Sequence, residues 1–181
     1  MLYIYKEVPR YICMIVIENR NDLLLKKLKL WYSVGDRLKT LHDIVNGNSK
    51  MSLRIIDYTC TNYSKSHDIV YYIGKTPFNL YVMYRGQLKA YSKLQFDPFR
   101  RHTRIKIPYK DVLFETTIAQ LNFFKWAIEN KVLDYIKKNL TKIDSCMTNE
   151  YRKTKSSKDT IESAIKKTAK RHDVKVTVTF K

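Results

Sequence analysis

A chain of 181 residues that is 44% hydrophobic and carries 14 tyrosines is long enough to bury a core, which excludes disorder throughout. Its 35 lysines and arginines against 17 acids leave a net charge of +18, a field that draws polyanions: nucleic acid first, then an anionic membrane or an acidic protein. Three scattered cysteines without a C-x-x-C pair exclude a disulfide framework and point to a reducing compartment.

Residues 2–17 read as one or two apolar strands interrupted by Pro9. Within them "YICMIVI" (11–17) falls far short of the ~20 residues of a membrane span and lacks a signal-peptide cleavage pattern, so a soluble, intracellular protein is expected. "NDLLLKKLKLWY" fits strand or helix. From Ser33, the residues Val34, Leu38, Leu41 and Val45 recur at helical spacing, until Asn46-Gly47-Asn48 breaks the run. A second helix over about 50–63 aligns Leu53, Ile56, Cys60 and Tyr63 on one face.

"DIVYYIGKTPFNLYVMY" (68–84) has the form of a hairpin closed around Gly74 to Pro77. "YRGQLKAYSKL" (84–94) follows as a helix with Tyr84, Leu88 and Tyr91 inward and Arg85, Lys89 and Lys93 as a cationic stripe. "QFDPFRRHTRIKI" (95–107) then turns at Asp97-Pro98 and runs out Arg100, Arg101, His102, Arg104 and Lys106 with no acid among them. As a strand it alternates Thr103, Ile105 and Ile107 with His102, Arg104 and Lys106. Its hairpin partner is "DVLFE" (111–115), across Pro108-Tyr109.

Thr117 and Gln120 have capping-box spacing and open a helix that breaks near Asn130. By composition, 148–159 is a linker. Asp159 and Glu162 suggest a further helix with Lys166, Lys167, Lys170 and Arg171 on its outer face. "VKVTVTFK" closes the chain as a strand with one buried side. The division expected is an N-terminal apolar strand segment (1–33), an α+β core (34–147), and a basic linker, helix and closing strand (148–181). The fold expected is α+β, a small antiparallel sheet of the two hairpins and the closing strand with helices packed on one side.

Three blocks, "SLRIIDYTCTNYSK" (52–65), "LKAYSKLQFDPFRR" (88–101) and "TTIAQLNFFKWAIENKVLDYI" (116–136), resemble an uncharacterised basic protein of large nucleocytoplasmic DNA viruses of the mimivirus and phycodnavirus kind. The resemblance covers about the middle half of the chain. It implies a viral origin, with a setting in the host cytoplasm, the nucleus or the virion, and supplies no catalytic residue.

The charge carries the functional reading. The last 31 residues hold 10 cationic side chains against 3 acids, so the body is itself strongly basic. Lysine and arginine neutralise phosphates and release counterions, the dominant contribution to non-specific nucleic-acid affinity. A non-enzymatic nucleic-acid-binding protein is therefore expected, with DNA ahead of RNA. Its contacts would be Arg85, Lys89, Lys93, Arg100, Arg101, Arg104 and Lys106, joined by Lys166, Lys167, Lys170 and Arg171. The alternative is a virion structural or scaffold protein whose positive surface meets an acidic virion or host protein or a membrane face.

A Mg²⁺-dependent nuclease is the third reading, on Asp111, Glu115, Glu129 and Lys131, which form only a loose D…E-x-K arrangement. His42, His67, His102 and His172 are scattered, and no Cys/His pair has zinc-ligand spacing, so neither metal nor other cofactor is expected. The aromatics Tyr91, Phe96 and Phe99 and the lone Cys60 are assigned to packing rather than to base stacking or chemistry.

Overall fold

A computed structural model describes residues 19–110 and 112–168, with side chains through Thr154. The expected strands over 2–17 and 173–181 lie outside the described residues, as do Lys170 and Arg171.

The segment that fitted strand or helix is helix α1 (Arg20–Tyr32), started by Asn19, whose side chain accepts from the Asn21 amide. Its buried residues Leu28 and Tyr32 pack on the core, and Tyr32 Oη donates to the Leu121 carbonyl at 2.8 Å. Helix α2 (Arg37–Val45) begins later than the periodicity suggests. Gly35 at φ +61° turns the chain first, and this leaves Val34 exposed. Next come α3 (Leu53–Tyr58), a π-helical turn (Thr59–Tyr63) and α4 (Ser64–His67) as one continuous rod.

Strands β1 (Val70–Ile73) and β2 (Thr76–Asn79) form the first hairpin, across Gly74 at φ +62°. The hairpin is shorter than 68–84, because Asn79 caps a helix. Its side-chain oxygen accepts from the Val82 amide at 3.0 Å and so turns "LYVMY" into the first turns of α5 (Leu80–Gln95). Strands β3 (Arg104–Tyr109) and β4 (Val112–Thr117) form the second hairpin. Pro108 and Tyr109 pair with Leu113 and Val112 instead of making the turn, which comes after Tyr109 and includes Lys110 at φ +51°.

Among the described residues the hairpins do not join: each is a separate two-stranded sheet rather than part of the one small sheet expected from the sequence, and the α+β class stands.

Helix α6 (Ile118–Glu129) is the hub. Ala119 through Phe124 are buried in an unbroken run, the pattern of a helix covered on every side. It touches α1, α2, α5, β4 and α7 (Val132–Lys138). The break near Asn130 is present, with Lys131 left-handed at φ 58°. Helix α8 (Leu140–Thr168) runs through the stretch expected as a linker and through Asp159, where a new helix was expected to start. Residues 148–159 contain neither proline nor glycine, so polarity alone does not stop a helix there.

Candidate nucleic-acid interface

The turn that introduces the basic run is built into the core. Phe96, Asp97 and Pro98 are buried. Asp97 Oδ1 accepts from the Phe99 amide at 2.9 Å, and the Asp97 amide donates to the Ala119 carbonyl at 3.3 Å. Gln120, itself wholly buried, donates from Nε2 to the Pro98 carbonyl at 2.8 Å and accepts the Thr116 hydroxyl at 2.8 Å. Asn122 Nδ2 holds the Gln95 carbonyl at 2.9 Å. The start of α6 therefore fixes where the cations emerge.

Those cations are not without acids, as their local sequence suggested. Arg101 Nε lies 3.6 Å from Asp97 Oδ2, and its guanidinium covers the Phe99 ring at 4.6 Å. Arg104 is ion-paired with Glu115, and Arg100 Nη1 donates to the Glu115 carbonyl at 3.3 Å. Lys106 stands directly across from Glu115 in the β3–β4 register. The hydrogen bond from Arg104 above all holds the Glu115 carboxyl below the usual range. Two acids thus face four cations here, and the patch keeps a positive excess.

The stripe on α5 is also modified. Arg85 and Lys89 are exposed on regular helix, but Ser92 interrupts it at φ 57°, ψ 173°. Lys93 then lines a different cavity from Lys89. His102 Nε2 donates to the Lys93 carbonyl at 3.0 Å, which brings the end of α5 against the basic run. Where they meet, a cavity of about 510 Å³ is lined by Arg20, Lys89 and His102 and by no acid among the described residues. Arg20 stands just before the segment that fitted strand or helix, and nothing in its spacing announced it. Of the tail cations, Lys166 and Lys167 lie on α8.

A second grouping escaped the sequence reading. Asp57, forty positions from Asp97, shares a small cavity of about 90 Å³ with Asp97, Tyr84, Lys93 and Arg101. Burial, then the charge of Asp97, raises the Asp57 carboxyl, against the opposing pull of Arg101 and Lys93. A carboxyl raised by folding is penalised when ionised, so its cost is present at neutral pH and disappears as pH falls through the folded value. Asp57→Asn is expected to stabilise the protein at pH 7 by on the order of 1 kcal/mol or less. By about pH 4, close to the unfolded carboxyl value, most of that gain should be gone. Urea unfolding at both pH values checks this, and a variant less stable at pH 7 would show that Asp57 is held mainly by its cations.

Of the loose D…E-x-K arrangement, the described residues Glu115, Glu129 and Lys131 are not brought together around one point. Glu115 pairs with Arg104, Glu129 pairs with Lys125 at 2.7 Å on α6, and Lys131 sits at the α6–α7 junction. Asp111 is outside the described residues. Phe96 and Tyr91 pack with the core, as expected, and Phe99 is half-buried. Cys60 is wholly buried. Among the described residues there is no group of three or more His, Cys, Asp or Glu suited to a metal ion. No helix among them is long and apolar enough to cross a membrane.

A model of a family of unknown function, DUF7197, matches residues 10–178. An uncharacterised protein of Acanthamoeba polyphaga mimivirus is 36% identical over 151 residues, which cover 77% of this chain and 58% of that protein. The chain therefore spans a little under three fifths of the length of this relative. The viral resemblance read from the three sequence blocks agrees with it. No solved structure matches.

Proposed function

Given that the chain belongs to DUF7197, a family of unknown function, we propose that it is a non-enzymatic protein that binds nucleic acid by its phosphate backbone, DNA ahead of RNA. The observation that carries this reading is the His102–Lys93 hydrogen bond. It holds the end of α5, the helix that carries Arg85, Lys89 and Lys93, against the run that bears Arg100, Arg101, Arg104 and Lys106, which supports a basic surface drawn from both. Arg101 and Arg104 already have carboxylate partners, so the main contacts fall to Arg85, Lys89, Lys93, Arg100 and Lys106. Lys166, Lys167, Lys170 and Arg171 add affinity without reading sequence.

Four or five phosphate contacts give a log K that falls with log salt at a slope of about −3 to −5. Fluorescence anisotropy of a labelled oligonucleotide in rising salt measures this slope. Lys89→Gln with Lys106→Gln should flatten it by roughly 2, whereas Arg104→Gln should change it less. A folded double variant that keeps the original slope would overturn the assignment. The leading reading would then be a virion scaffold whose basic face meets an acidic protein.

A further inference from the structure

We propose that the cavity of about 510 Å³ at the break in α5 receives a single unpaired nucleotide of a bound strand, so that the protein prefers single-stranded or overhanging nucleic acid to closed duplex. This rests on the nucleic-acid reading above and adds the form of the ligand to it. The cavity lies within the range of small-molecule sites, about 300–1,000 Å³. Its wall has two characters. Arg20 and Lys89 supply positive charge, and the described lining residues include no carboxylate to oppose a phosphate. Tyr91 and Leu94 supply an apolar wall, and Leu94 is 68% exposed. A nucleotide carries both complements, an anionic phosphate and a flat base whose faces avoid water. A free inorganic anion would leave the apolar side unused, and a base still paired inside a duplex could not enter.

The backbone points the same way. Ser92 occupies a φ/ψ region that is close to glycine-only, and strain of this kind persists where the surroundings fix it, often at ligand clamps. Here the break ends the regular helix between Lys89 and Lys93. Lys89 stays with the cavity, while the Lys93 carbonyl is turned to receive His102. Without the break, Lys89 and Lys93 would continue one outer stripe and no recess would separate them.

The test uses the full chain and three labelled DNA ligands of matched length: a single strand, a blunt duplex, and the duplex with a one-nucleotide overhang. Ala90 lines the cavity and is exposed. Ala90→Trp should fill the space without changing charge. Single-strand and overhang affinity should fall about tenfold or more, the scale of one lost base contact, while blunt-duplex affinity changes less than about twofold. Arg20→Gln, on a different helix, guards against misfolding of the first variant and should show the same selectivity. Thymidine monophosphate should compete for the site, whereas inorganic phosphate at equal ionic strength should not. Equal losses for all three ligands, no loss for any, or equal competition by phosphate would overturn the nucleotide pocket while leaving backbone binding in place. Absence of binding to every ligand by the unaltered protein would overturn both.

Discussion

Replacing Phe96 by alanine is expected to destabilise the protein by about 3–5 kcal/mol, the range for a phenylalanine removed from a closed core. The ring is 1% exposed. It lies among Tyr84, Phe123 and Trp126, with ring centres at 6.0, 5.2 and 5.4 Å, so a cavity left there is walled by rigid aromatics that cannot collapse into it. Of the two phenylalanines flanking Asp97-Pro98, Phe96 is therefore the anchor. Phe99 is half-buried and carries the Arg101 guanidinium on its face, so its truncation should cost well under half as much. Urea unfolding followed by tryptophan fluorescence compares the two variants, and the reverse ranking would show that the turn is held from its cationic side.

The second large effect concerns hydrogen bonds. Gln120→Leu keeps the side-chain volume but strands the Pro98 carbonyl and the Thr116 hydroxyl, both now bonded to the amide at 2.8 Å. Each buried orphan costs about 1–3 kcal/mol, so a total of about 2–6 kcal/mol is expected. Adding Thr116→Val removes one of the two stranded groups and should recover part of the loss. If the double variant were less stable than the sum of the single changes, Thr116 would owe its burial to something other than Gln120. Because Gln120 pins Pro98, the single variant should also weaken DNA binding, in proportion to how far Arg100 and Arg101 move.

Local rules made a good part of this molecule legible. The alternation over 103–107 gave β3 its two faces, and Thr117 does cap α6, although Gln120 spends its side chain on Pro98 instead of returning it to the cap. Tyr84, Leu88 and Tyr91 do face inward. What the chain hid was long-range. Glu115 reaches Arg104 only once strand register places it there, and Asp57 reaches Asp97 only when α3 and the turn are packed together. Arg20 joins the candidate site from the first turn of α1, just before a segment whose periodicity allowed two structures. Asn79 ends the hairpin strand as expected, but its side chain, bonded to the Val82 amide, also caps a helix and so takes 80–84 out of the hairpin. The break at Ser92 has no glycine or proline to announce it.

The π-helical turn at Thr59–Tyr63 changes the phase of the rod that contains it. A regular α-helix shows each neighbour one fixed stripe, but the wider turn inserts an extra step and brings Thr59, Cys60, Tyr63 and Ser64 all inside. Before it, α3 lies against α8; after it, α4 lies against α5, and the turn itself touches both. One continuous element thus meshes with two differently placed partners, as a gear with a skipped tooth does. Removing that step would leave either α5, which carries the basic stripe, or α8, which carries the tail, out of mesh with the body.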